Sequence, residues 1–524
     1  MSDLKINITC SCGTFEGHDN NGISEFLGIP FSAPVRPWEP AEDPVTKQSD
    51  LMICSEWGPS CFQVVDKVET ASTWKQSLDC LFLNIWTRDV ETAGKPVIVF
   101  IHGGGAWQGG TYDPNYDGEY FVRNLPDGED VVFVTFNYRL GIFGSLDLSI
   151  LEGYTDKYSK SRNIAILDQI QALKWVHDNI EAFGGDPDNV TVMGQSAGAG
   201  ALCTMLTMQE ARRYFGRAIL ESGTIFNRQI SPEKAEENSR KVYEILGVSS
   251  VDELIKYPEE KLAERYREID KVLHHPHRVA DGVVIPENSW DLLKGGCAKD
   301  IDVIIGTTDG ETDWIACDDD DYPNQIDKPD SVIEEIRIKR DRSGITQTSW
   351  SPLVDDEVVQ VYMSRDDNKV KRAVDLYNDT HYRQTGIFVA EELVNNGSNV
   401  YMYLWEWAPG VDLVIRSQGD MAEVSPWGRA MHCMEQVFIF GNKTDGYNEL
   451  AGPDYALPDE LIKATQLTWY SFAKNGRPDN DLICEWTPYD CINRSTMVIG
   501  KDCSWSIVND PRCEDRKILE RLRP

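Results

Sequence analysis

A short apolar strand that runs into Gly-x-Ser-x-Gly and leaves as a helix constrains this chain more than any other feature. Residues 189–200 read NVTVMGQSAGAG and are followed by ALCTMLTM. Gly194 and Gly198 suit a tight turn that lifts the Ser196 hydroxyl above the end of a strand, with a helix starting directly behind it. Such a turn needs neighbouring strands and covering helices, and the sequence supplies both. Segments 97–101, 131–136, 190–193, 218–220 and 303–305 are near-continuously apolar, as parallel strands buried on both faces should be. Between them, residues 167–180 put Ile170, Leu173, Trp175 and Val176 on one side of a helix. Alternating strand and helix predicts an α/β fold with a largely parallel sheet.

A helical block interrupts this rhythm. Ser231-Pro232 opens a helix over 231–246, with proline at the first helical position. Ser250 followed by Glu253 has the pattern of a capping box. The block runs to about Leu273 and is expected to form part of a cap over the sheet. No repeat, low-complexity linker or Pro/Gly/Ser hinge divides the sequence. The expectation is one domain over 1–524, with cap or insertion segments near 225–275 and 315–395.

The turn at Ser196 has the features of a nucleophile elbow, and a second motif agrees with it. Residues 95–110 read KPVIVFIHGGGAWQGG, an early strand ending in His102-Gly103-Gly104-Gly105. A tetrahedral intermediate of acyl transfer needs fixed N–H donors about 2.7–3.1 Å from its oxyanion. Glycines let a backbone approach that closely. Gly104, Gly105 and Ala197 are the expected donors, and Gly103 is assigned to the shape of the loop. A phosphate-binding loop would need Gly-Lys-Ser/Thr after the glycines, which is missing.

A serine nucleophile needs a base, and histidine titrates in the right range. The chain has 8 histidines. His102 belongs to the glycine loop, His177 to an amphipathic helix and His18 to a polar turn. His274, His275 and His277 form a cluster that reads as loop or pocket wall, and His381 has no telling context. His432 lies late in the chain beside an aromatic-rich segment, MHCMEQVFIFGN. Chain order in elbow-type hydrolases is Ser, then Asp or Glu, then His. The acid should then follow the strand at 302–305, where the chain reads GTTDGETDW. Asp309, Glu311 and Asp313 all satisfy that spacing.

With these motifs in place, the chain resembles the type-B carboxylesterase/cholinesterase family over about residues 13–500. The stretches that carry the resemblance are CLFLNIW from Cys80, GPSCFQ around Cys61, NYRLGIFG from Asn137, NIAILDQ from Asn163, and Glu221-Ser222-Gly223. Asp281-Gly282 and the run 469–478 match further landmarks. The resemblance implies an α/β-hydrolase fold and a serine carboxylesterase acting on small-molecule esters without metal or organic cofactor. It selects Glu311 as the acid, from a Gly-Thr-Thr-x-x-Glu pattern. It supports His432 through His-x-x-Glu-x-x-Phe-x-Phe-Gly, which Glu435, Phe438, Phe440 and Gly441 complete. It also implies a disulfide between Cys61 and Cys80.

Departures from the pattern inform specificity. Gln195 stands where the family usually has glutamate before the nucleophile, which disfavours choline esters. Leu78 replaces a glutamate that normally pairs with an arginine, leaving Arg36 without that partner. Thr312 stands where a glycine is expected after the acid. A lipase for long-chain acylglycerols is the alternative within enzymes, against which the charged segments 233–240 and 259–270 argue. A catalytically silent adhesion member is the alternative outside them, against which the full Ser-Glu-His set argues.

Charge and cysteine content close off other classes. Lys plus Arg total 51 against 86 Asp plus Glu, a formal charge of −35. Nucleic acid and anionic membrane surfaces are therefore not expected partners. The run Asp318–Asp321 lacks the ligand spacing of a calcium loop and reads as solvated. Thirteen cysteines contain no CxxC pair, and Cys10 and Cys12 are too close for a zinc knuckle. The N-terminus lacks a basic-then-apolar segment, so a cytoplasmic location is expected; a chain whose signal had been trimmed would read the same.

Overall fold

A computed structural model of the chain describes residues 4–45, 50–63, 74–227, 229–258, 261–262, 265–266, 268–269, 273, 278–313, 356–365, 368–409, 416–417, 421–422, 425, 427–442 and 457–524. Among them, 13 strands form one mixed sheet. In chain order these are β1 (Lys5–Cys10), β2 (Gly13–Asp19), β3 (Ser24–Pro30), β4 (Leu51–Ile53), β5 (Phe82–Thr87), β6 (Lys95–Ile101) and β7 (Val132–Phe136). They continue as β8 (Gly185–Gln195), β9 (Arg217–Glu221), β10 (Asp302–Thr308), β11 (Val400–Trp405), β12 (Ser495–Ile499) and β13 (Trp505–Asn509). Their spatial order is β1-β2-β3-β5-β7-β6-β8-β9-β10-β11-β12-β13, with β4 beside β2. The run from β7 to β12 is parallel throughout, and antiparallel strands extend it at both edges. The α/β expectation and its parallel core hold.

Apolar alternation along each strand explains why the central strands read as continuous hydrophobic runs. On β6, Val97, Val99 and Ile101 join one core cluster, while Ile98 and Phe100 join the other. Val303 and Ile305 of β10 divide from Ile304 in the same way. Side chains on a strand alternate between faces, so a sheet covered on both sides needs apolar residues at every position. One face is covered by α1 (Ile164–Asn179), which contributes Ile166, Ile170, Leu173, Trp175 and Val176.

Behind Ser196 runs α2 (Ala197–Met205). The helix expected after Ser231 is α3 (Pro232–Leu246), with the Ser231 hydroxyl accepting from the Lys234 N–H and Gly247 ending it at φ 67°. Ser250 and Glu253 make the capping box of α4 (Val251–Ile255). Of the second cap segment, residues 314–355 lie outside the described residues, as do Asp318–Asp321 and His274, His275 and His277. Its last part, α5 (Gln384–Asn395), packs Ile387, Phe388, Val389 and Leu393 into the first cluster. The short α6 (Gln436–Phe440) and the long α7 (Asp459–Asn475) supply Phe438, Phe440, Leu461, Trp469 and Phe472 to the second.

One buried ion pair ties the loop after β7 to α1. Arg139 and Asp168 are 1% and 0% exposed. Arg139 Nε donates to Asp168 Oδ2 at 2.7 Å, and its guanidinium also reaches the Glu39 carbonyl at 2.8 Å. Arg36, by contrast, is at the surface and pairs with Glu39 at 3.6 Å. Arg139→Met should destabilise the protein by about 3–5 kcal/mol, because it leaves a buried carboxylate without its counter-charge. A fall in the thermal or denaturant midpoint measures this, and an unchanged midpoint would contradict the assignment.

Candidate active site

Four strand ends meet at the site. Ser196 follows β8 directly and caps α2 with φ 54° and ψ −117°. That backbone conformation is costly for a side-chain-bearing residue. The surroundings impose it: the Ser196 N–H donates to the Glu221 carbonyl at the end of β9, at 2.8 Å. Glycines make the close approach possible. A Cβ on Gly198 would lie 2.1 Å from the Ile101 carbonyl oxygen, and one on Gly223 would lie 2.2 Å from that of Ser196. The Gly-x-Ser-x-Gly and Glu-Ser-Gly motifs are therefore two halves of one tight contact.

The glycine loop follows β6. Gly104 and Gly105 have φ 85° and 69°, in the left-handed region that glycine alone enters without cost. Among the described residues, neither the Gly104 N–H nor the Ala197 N–H has a backbone acceptor, so both are free to serve an incoming anion. Gly105 is placed beside them. Gly103 lies against the elbow, where a Cβ would meet Gln195 Oε1 at 2.5 Å and Ser196 Cβ at 3.1 Å. His102 is buried and stacked on Tyr138 with ring centroids 4.4 Å apart. Burial lowers its pKa to about 4, which suits a structural ring rather than a base at neutral pH. Gln63 holds the far end of the loop: its amide donates to the Gly109 carbonyl at 2.8 Å and accepts from the Gly109 N–H at 2.7 Å.

Geometry separates the three carboxylates that spacing left open. Glu311 Oε2 lies 2.5 Å from His432 Nδ1. Its other oxygen accepts from the Ser222 hydroxyl at 2.6 Å and the Thr308 N–H at 2.8 Å. Asp309 instead accepts from the Ala430 N–H at 2.9 Å, and burial pushes its pKa up to about 7. Asp313 is paired with Arg429, whose Nε donates to it at 2.8 Å. Thr312, after the acid, donates its N–H to Asn378 Oδ1 at 2.9 Å. A side chain here thus replaces the expected glycine without strain on Glu311.

His432 completes the set. Its backbone N–H donates to the Glu311 carbonyl at 3.1 Å, and its Nε2 lies 3.2 Å from Gln195 Nε2. In the neutral ring, an amide N–H donating to Nε2 goes with a proton on Nδ1, directed at Glu311. Burial lowers the imidazole pKa, but Cys433, Tyr382 and the Glu311 carboxylate raise it more, and the balance is well above the ordinary histidine value. Behind this pair lie two further buried carboxyls. Glu435 accepts from Tyr403 Oη at 3.1 Å and is raised to about 7, by burial first and then by Glu311. Glu221 accepts from Trp469 Nε1 at 2.8 Å and is raised further, by burial and then by Glu435.

Among the described residues, the remaining histidines stand apart. His18 pairs with Glu25 at 3.1 Å, His177 lies near the end of α1, and His381 stacks on Tyr377. Cys61 and Cys80, the pair the resemblance would join, are buried neighbours but free thiols. Burial and then the hydrogen bond to Cys61 raise the Cys80 thiol, while Cys61 Sγ takes the Leu140 N–H at 3.2 Å. Sequence reasoning did not find Ser222, Gln63 or the Gln195–His432 contact as parts of the site. Only Ser222 had a signal, as the middle of Glu-Ser-Gly.

A strained serine between strand and helix, next to Gln195 whose amide meets an imidazole that a carboxylate holds, on a central parallel sheet, defines an α/β-hydrolase. Comparison with known proteins narrows the class. The model of the carboxylesterase family matches residues 3–514, and the chain belongs to that family. It is 31% identical to para-nitrobenzyl esterase of Bacillus subtilis (strain 168) over 530 residues, 98% of each chain. It is also similar to acetylcholinesterase of Bungarus fasciatus, at 27% identity over 91% of this chain and 79% of the relative. The crystal structure of Geobacillus stearothermophilus carboxylesterase EST55 at pH 6.2 superposes with a TM-score of 0.80 at 26% identity, covering 98% of this chain and 99% of that one. Among the described residues, no group of three or more candidate ligands could hold a metal, and no helix is long and apolar enough to cross a membrane.

The contact behind the elbow is directly testable. Gly198→Ala should destabilise the protein by about 1–3 kcal/mol, since the clashing atom is a backbone oxygen that cannot rotate away. A thermal midpoint equal to the parent's would refute the packing described.

Proposed function

We propose that the chain is a serine carboxylesterase that cleaves small-molecule carboxylic esters through an acyl-enzyme. Ser196 Oγ attacks the ester carbonyl as His432 Nε2 takes its proton. Glu311 holds the ring with Nδ1–H towards itself and stabilises the imidazolium that forms. The N–H groups of Gly104, Gly105 and Ala197 receive the oxyanion, and each such donor is worth about 10²–10³ in turnover. The alcohol leaves with the proton from His432. Water then attacks the acyl carbonyl, giving its proton to His432, and Ser196 recovers a proton as the acid departs. No step requires a metal or an organic cofactor.

The observation that carries this reading is the 2.5 Å contact between Glu311 and His432, with Nε2 3.2 Å from the amide of Gln195, the residue before Ser196. A silent adhesion protein would have no need of the strained serine or of the glycine loop and the imidazole–carboxylate pair beside it. Membership of the carboxylesterase family supports ester hydrolysis independently. Gln195 is neutral where a carboxylate would attract a cationic alcohol, which favours uncharged esters over choline esters.

Ser196→Ala should abolish hydrolysis of a p-nitrophenyl ester and labelling by an organophosphate; wild-type turnover in the purified mutant would disprove the assignment. The pH profile offers a second check. The base works only as neutral imidazole, and a pKa held above the ordinary 6.5 keeps it protonated to higher pH. The acid limb of kcat/KM should therefore have its midpoint above 6.5, with activity rising as pH rises. Glu311→Gln should move that midpoint down, because the raising charge is gone; a limb that does not move would contradict the role of Glu311.

A further inference from the structure

Away from the site, the turn between β1 and β2 brings two cysteines together. Cys10 pairs with Gly13 across the hairpin, so Ser11 and Cys12 alone make the turn. The two sulfurs are 3.4 Å apart and largely buried. A disulfide bond is about 2 Å long, so a modest side-chain rotation would close the gap. None of the chemistry derived for Ser196 uses these residues.

Their surroundings are built around sulfur. Asn179 Oδ1 accepts from the Ser11 hydroxyl at 2.7 Å and from Cys12 Sγ at 3.6 Å. The Asn179 amide is fixed for this by donating to the Trp175 carbonyl at 2.9 Å. Cys12 lines a surface recess with Ser11, Lys174, Trp175 and Asn179. Among the described residues the buried Trp175 indole N–H has no hydrogen-bond acceptor, and it favours the thiolate of Cys12. It is an N–H donor held ready for negative charge on sulfur.

We propose that Cys10 and Cys12 form a reversible dithiol–disulfide site that reacts with small-molecule disulfides entering the recess beside Lys174 and Trp175. When the Cys12 S–H turns from Asn179 to Cys10, its hydrogen bond lowers the Cys10 thiol to about 7, and the same contact raises Cys12. Of the two, Cys10 is thus the sulfur favoured as the thiolate, the reactive form in exchange. The Cys10 thiolate attacks one sulfur of the disulfide R–S–S–R, whose S–S bond breaks and releases one thiolate. Cys12 then loses its proton to solvent and attacks the Cys10 sulfur of the mixed disulfide, expelling the second thiolate. Two protein thiols are oxidised and one external disulfide is reduced to two thiols. Asp43 and Asp178 flank Lys174 at 2.7 and 3.3 Å, which leaves no net positive charge at the mouth and favours an uncharged disulfide.

The test uses the full-length protein and hydroxyethyl disulfide, a neutral probe, followed by alkylation, trypsin and mass mapping. The tryptic peptide of residues 6–47 contains only Cys10 and Cys12. It should become lighter by two hydrogens, carry no adduct, and return to its reduced mass with dithiothreitol. In Cys12→Ser the same peptide should retain one hydroxyethylthio group on Cys10. The exposed Cys484 serves as a control for reagent reactivity. If Cys484 is modified while the wild-type peptide stays reduced or keeps an adduct, the proposal is overturned. Failure of Cys12→Ser to trap an adduct on Cys10 would overturn the assignment of Cys10 as the attacking sulfur. Neither outcome bears on Ser196.

Discussion

The backbone hydrogen bond from the Ser196 N–H to the Glu221 carbonyl holds the site together. It pins the elbow to the neighbouring strand, and the positive φ of Ser196 follows from satisfying it. The next residue in that strand's exit, Ser222, has φ 53° and turns its hydroxyl to Glu311. One contact between two strand ends therefore sets the direction of the serine and, through Ser222, the oxygen of the acid. A buried N–H left without an acceptor would cost about 1–3 kcal/mol, a strong incentive for the turn to stay closed.

Electrostatic arrangement extends that geometry. Three carboxyl groups, Glu311, Glu435 and Glu221, lie in sequence behind His432, and burial drives the two farther ones towards their neutral forms. Neutral carboxyls can sit in low dielectric near Glu311 without repelling it. Tyr403 and Trp469 supply donors to this chain from opposite elements, β11 and α7. The second core cluster thus forms the floor of the site as well as its packing. The first cluster performs the matching task on the other face, where Arg139 and Asp168 fix the loop that supports the glycine segment.

Legibility of the molecule in its sequence depended on whether a physical requirement was local. The elbow and glycine loop were readable because close backbone approach demands glycine at fixed spacing. Central strands were readable because burial on both faces demands uninterrupted apolar residues. Where β8 leaves that double cover, at Gly185–Asn189, the residues turn polar, and the apolar run at 190–193 starts five residues after the strand does. Strands β1 and β2 were missed because polar side chains alternate with apolar ones along them. Glu311 could not be told from Asp309 and Asp313 by spacing: the partners that distinguish them, His432, Ala430 and Arg429, come from more than a hundred residues away. Family resemblance supplied that choice, and the contacts give its physical reason.

Distance along the chain has a consequence for when the chemistry can begin. Gln195, beside the serine, and His432, which it faces, are 237 residues apart. During synthesis the elbow, the glycine loop and even the acid emerge from the ribosome well before the imidazole that would deprotonate Ser196. A nascent chain therefore carries an inert alcohol, unable to acylate itself on passing esters while its sheet is still open. Under the proposed mechanism, reactivity waits for the arrival of one late loop, so folding itself acts as the safety catch.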